Sequence, residues 1–103
     1  MTEQLEVTIL SNLIYNEKYA RKVLPFLKSE YFNAREYKII FLEIHEYISQ
    51  YDALPSLNAI SIECQERNDL NEDQFKEVIK VLNVLSDDPS DYDWLVDTTE
   101  KWC

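Results

Sequence analysis

The sequence predicts an all-α fold, one compact bundle of about six helices closing in a helical hairpin. Two observations carry it, and a third, the lack of glycine, bears on the motifs the chain can hold. Apolar residues recur at helical spacing and no stretch alternates as a strand does. Helix-starting residues stand ahead of the periodic runs. Among 103 residues there is no glycine. The longest periodic run, residues 31–51, is read as the central helix. Tyr37, Phe41, Ile44, Ile48 and Tyr51 form one stripe, and Ile40 and Tyr47 widen it beyond the roughly 100° apolar face of a surface helix, so it should be wrapped on several sides. Asn33 stands where an N-cap would, and Glu36 three residues on completes a capping box.

The remaining elements follow in chain order. Residues 3–15 give a first helix, with Leu5, Ile9, Leu13 and Ile14 on one side and Val7 and Leu10 broadening it. Asn16 caps a shorter helix over 17–24, which Pro25 ends because proline lacks an amide hydrogen and disfavours helical geometry in the residue before it. Phe26 and Leu27 fold back as anchors, and 28–32 leads into the central helix. Pro55 breaks the pattern after Tyr51. Ser56 then caps a helix over 57–67 with Ile60 and Cys64 inward. Asn71 and Gln74 make another capping box ahead of a helix over 72–85, which Asp88 and Pro89 end. Ser90 or Asp91 starts the last helix, whose early acidic residues suit the positive end of the helix dipole. Residues 86–90 form the hairpin tip, and 1–103 make a single domain. No C-cap follows the last helix, so the chain is expected to be cut within or just after it.

Charge narrows the functions. The chain carries 20 acidic and 10 basic side chains, a net charge of −10. Residues 1–62 hold 8 acids and 6 bases, and 63–103 hold 12 acids and 4 bases, so the second half accounts for −8. Nucleic-acid binding needs clustered Lys and Arg to displace counterions from phosphates, and this surface repels the backbone. An acidic half of this kind is either a solvated face or a docking surface for a basic partner, with Asp87, Asp88, Asp91, Asp93 and Asp97 as its candidate residues. A P-loop or dinucleotide fingerprint requires glycines, so neither motif is present, and no catalytic, cofactor or metal residues are assigned. Cys64 and Cys103 sit in no CxxC pattern, which signals neither zinc nor a disulfide framework and fits a reducing compartment. His45 lies in the central helix with no second His or Cys nearby and reads as a packed or surface residue. No run reaches the roughly 18 apolar residues of a membrane span, and the acidic start lacks the positive region of a signal peptide.

The last two helices carry more apolar surface than a monomer needs. On the first of them Phe75, Val78, Ile79, Leu82 and Leu85 form an inward stripe, while Val84 points nearly the opposite way and Val81 lies between. On the second, Tyr92, Leu95, Val96 and Thr99 share a face from which Trp94 is displaced. Val84 and Trp94 either pack on the domain body, stand as scattered exposed apolars, or meet a partner.

The ordered set Ile9-Leu10-Ser11-Asn12-Leu13-Ile14, Ser29-Glu30-Tyr31-Phe32, Pro55-Ser56-Leu57-Asn58-Ala59 and Trp94-Leu95-Val96 followed by Thr99-Glu100-Lys101 resembles the N-terminal domain of T4-type phage replicative helicases. It is more distantly similar to that of the bacterial DnaB helicases, which often have glycine in the first helix where this chain has Ser11 and Asn12. The resemblance implies a collar domain on a hexameric ring, paired through its terminal hairpin as a trimer of dimers, helping ring assembly and docking primase in the host bacterial cytoplasm. It places ATP, Mg and 5′-to-3′ unwinding in a separate RecA-like motor absent from this chain, with little direct nucleic-acid binding here. It also favours self-association among the readings for Val81, Val84 and Trp94. The competing reading is a free-standing acidic phage protein that imitates DNA charge and inhibits a nucleic-acid enzyme.

Overall fold

Local capping sets most helix boundaries. In the computed structural model, which describes residues 2–87 and 90–103, Asn16, Ser56, Asn71 and Asp91 each accept a bond from the amide three residues on. They start α2 (Glu17–Val23), α4 (Leu57–Gln65), α5 (Glu72–Val84) and α6 (Tyr92–Trp102). Asn71 and Gln74 form the full reciprocal box, with bonds of 2.8 and 3.0 Å. With α1 (Thr2–Tyr15) and α3 (Arg35–Tyr51) these make six α-helices, and the described residues contain no strand. Pro25 sits in a 3-10 turn, Leu24–Phe26, that turns the chain out of α2, and a second turn spans Ser29–Tyr31. The proposed terminators Asp88 and Pro89 lie outside the described residues.

The start of α3 departs from the expected one. Asn33 does not cap it, and Ala34 occupies the N-cap position without a side-chain bond. Asn33 instead donates twice to Glu6 on α1, from its backbone N–H to Oε1 at 2.8 Å and from Nδ2 to Oε2 at 3.2 Å. The helix therefore begins one residue later than an Asn33 cap would set it, at Arg35, and Glu6 is 1% exposed. At the other end Asp52 closes α3 in the left-handed region, φ 53° and ψ 37°, its N–H bonded to the Ile48 carbonyl at 2.8 Å. The expected stripe is buried at Tyr37, Phe41 and Ile44 and half-buried at Ile48, but Tyr51 is 59% exposed, because the stripe runs past the end of the body it packs on. The next helix stops at Gln65 rather than Arg67, whose guanidinium turns to Glu43 on α3 at 2.6 Å and to Asp69.

The core forms around α3, which packs against α1, α4 and α5. The radius of gyration, 12.8 Å, matches the roughly 13 Å expected for about 100 residues. The last two helices follow one another as expected, but they are not each other's close neighbours: α5 lies on α3 and α4, whereas α6 lies on α2. Leu95, Val96 and Thr99 face that contact side and are buried, and Lys18 of α2 stands 4.1 Å over the Tyr92 ring. Trp102 packs edge-on against Phe32 at 5.1 Å, holding the end of α6 to the lead-in of α3.

Candidate functional site

Helical spacing on α5 puts Glu77, Val81 and Val84 on one face. Val81 is only 9% exposed and packs within the domain's own core, so of the candidate self-association residues it offers an edge rather than a side chain. Val84 is 59% and Trp94 54% exposed, which agrees with their displacement from the inward stripes. They do not form one patch by themselves. Val84 and Val81 line a groove with Glu3, Ala34, Glu36, Tyr37, Glu77 and Lys80. Trp94 lines another with Gln4, Leu5, Thr8 and Thr98. At about 100° per residue Gln4 and Thr8 stand about 100° and 140° around α1 from Glu3, so the first two turns of this helix separate the two grooves.

The groove at Val84 is acidic. Glu3, Glu36 and Glu77 face it against one ammonium, Lys80, which lies 3.4 Å from Glu77. Tyr37 donates its hydroxyl to Glu3 Oε1 at 3.1 Å. Burial, then that bond and the neighbouring charges of Glu3, Glu6 and Glu36, push the phenol up to about 12. The chain leaving α5 is tied to α1 by the Ser86 N–H, which donates to Ser11 Oγ at 3.2 Å. Sequence reasoning had no view of these walls: the α5 face is legible from spacing, but the parts given by α1 and the start of α3 depend on tertiary packing.

The acidic candidates divide by role. Asp91 caps α6, accepting from the Trp94 N–H at 3.0 Å, and Asp97 pairs with Lys101 one turn on at 3.1 Å. Asp87 and Asp93 are exposed, and Asp88 lies outside the described residues. The capping bond and the pairing draw Asp91 and Asp97 into the local order of α6.

Elsewhere charge serves the fold. Arg67, held well above the ordinary guanidinium range by its bond to Asp69, joins α3 to the α4–α5 connection. Arg21 donates to the carboxylates of Glu17 and Asp52 at 2.8 and 3.0 Å. Cys64 is buried and Cys103 exposed, both as free thiols, and burial pushes the Cys64 thiol up to about 12. Among the described residues no group of three His, Cys, Asp or Glu is arranged to hold a metal, and every buried side-chain nitrogen and oxygen has a hydrogen-bond partner. No helix of the described residues is long and apolar enough to cross a membrane.

Fold and surface thus define an all-α domain with two grooves flanking its first helix. No family model matches the chain. It is 36% identical over 94 residues to the "DnaB-like replicative helicase" of Enterobacteria phage T4, covering 91% of this chain and 20% of that protein. The chain is thus similar to a T4-type DnaB-like replicative helicase, and it spans about a fifth of the length of the curated relative it matches.

Proposed function

We propose that this chain is the N-terminal assembly and primase-interaction domain of a phage hexameric replicative DNA helicase, working in the cytoplasm of the host bacterium. The observation that carries the reading is the 36% identity extending over 91% of the chain to a protein of which it spans only 20%. Such a domain forms part of a collar, pairs with a second copy into a trimer of dimers, and contributes contacts rather than chemistry. ATP, Mg and 5′-to-3′ unwinding then belong to a motor elsewhere in the full-length protein. With a net charge of −10, the domain makes little direct contact with nucleic acid.

In this reading Trp94 and Val84, with the first turns of α1 between them, meet the same surface of a second copy. A tryptophan buried at the centre of such a contact is worth about 2 kcal/mol or more. The test is light scattering of wild type and of the Trp94→Ala, Val84→Asp double variant over a concentration series, with circular dichroism as folding control. The expected result is weaker self-association with unchanged helicity. Equal association by both proteins would overturn the pairing. Titration with the cognate primase at rising salt tests the partner: binding whose on-rate falls more than its off-rate changes supports an acidic contribution to encounter.

A further inference from the structure

The groove between α1, the start of α3 and α5 is a concavity of about 470 Å³, open to solvent, whose carboxylates the self-association reading does not explain. Its apolar lining is chiefly Val84, with half-buried Ala34 and the edge of Val81, and its acidic residues are Glu3, Glu36 and Glu77. Tyr37, buried beside the groove, donates its hydroxyl to Glu3 at 3.1 Å and leaves the other carboxylate oxygen free toward a partner.

Three physical constraints select an occupant. The groove walls are helices and present no open strand edge, which excludes strand addition and favours a segment that pairs its own backbone groups, as a helix does. The apolar lining rewards a stripe of aliphatic side chains at i, i+3, i+4 and i+7. Three carboxylates against one ammonium favour Lys and Arg beside that stripe and repel nucleic acid or an acidic helix. A second copy of this chain, at −10, can meet the Val84 edge of the groove but gains nothing from its carboxylates.

We propose that this groove is a docking site for a basic amphipathic helix presented by another protein. It goes beyond the collar reading and shares only Val84 and the edge of Val81 with the self-association residues, so the two can fail separately.

The probe is a fluorescently labelled synthetic Leu/Lys amphipathic helix of about five turns. A scrambled peptide of the same composition is the control, with anisotropy read on the intact chain at about 0.15 M salt. Glu36→Gln with Glu77→Gln is expected to weaken binding of the amphipathic peptide at least about five-fold. Glu46→Gln with Glu63→Gln, which changes net charge equally at exposed sites away from the groove, should change it less than about two-fold. Equal binding by the scrambled peptide, equal loss in both variants, or no binding would overturn the proposal. Circular dichroism establishes that each variant is folded, and Val84→Ser offers a second variant on the apolar lining, expected to weaken the peptide without altering its salt dependence. Light scattering of the Glu36, Glu77 pair should show unchanged self-association, which separates failure of this site from failure of the collar reading.

Discussion

Tyr19 and Thr99, 80 residues apart in the chain, share a buried hydrogen bond of 2.7 Å that fixes α2 to α6. The Thr99 hydroxyl donates its single proton to the Leu95 carbonyl at 2.7 Å, so Tyr19 is the donor in the shared bond. Burial holds the Tyr19 phenol well above its ordinary range, which keeps it protonated and able to donate.

The two partners therefore respond differently to truncation. Thr99→Val leaves the Tyr19 hydroxyl buried without an acceptor and should cost about 2–3 kcal/mol, whereas Tyr19→Phe removes the donor and should cost about 1 kcal/mol. The double variant should fall close to Tyr19→Phe alone. Urea unfolding followed by circular dichroism measures all three. Equal losses from the two single variants would contradict the donor assignment.

Glu6 holds the lead-in to α3 through two bonds from Asn33. Glu6→Ala strands the Asn33 amide and should lower stability by about 2 kcal/mol, a fall in Tm of roughly 10 °C for a domain of this size. Glu6→Gln keeps one acceptor oxygen and should lose about half as much. Thermal melts decide it: an unchanged Tm for Glu6→Ala would show that the bonds contribute nothing net.

Alkaline stability follows from Tyr37. Its folded phenol sits at about 12, raised first by burial and then by Glu3, against 10.0 for the free group. From the unfolded value upwards the unfolded chain gives up its proton while the folded chain keeps it, so the contribution is whole below pH 10.0 and drains away until about pH 12. Cys64 acts in the same direction from 9.0 to about 12. Tyr37→Phe should make the fall shallower in urea titrations between these pH values, although it lowers stability at neutral pH by loss of the Glu3 bond. An unchanged slope would sink the assignment.

How much was legible depends on range. Asn16, Ser56, Asn71 with Gln74, and Asp91 were readable as caps because the acceptor and the amide lie three residues apart, a geometry the local sequence contains. Asn33 carries the same local signal, but Glu6, 27 residues upstream, takes its donors, and no local rule registers that. The same distinction runs through the candidate site. The exposure of Val84 and Trp94 came from counting helix faces, while the burial of Val81, the intervening turns of α1 and the acidic walls of the groove come from tertiary placement. The hairpin expectation assumed that helices joined by a short connection pack together; here the apolar face of α6 finds α2 instead.

Asp52 gives the glycine-free composition a meaning for the unfolded chain. A chain without glycine samples left-handed backbone space sparingly, so its disordered ensemble holds fewer conformations and less entropy is surrendered on folding. The exit from α3 nevertheless demands that hand, and a chiral side chain must supply it. Arg21 answers by gripping both the Asp52 carboxylate and its carbonyl, each at 3.0 Å. A single reversal of handedness, clamped from a helix 31 residues earlier, thus selects the direction in which the second half of the chain departs from the first.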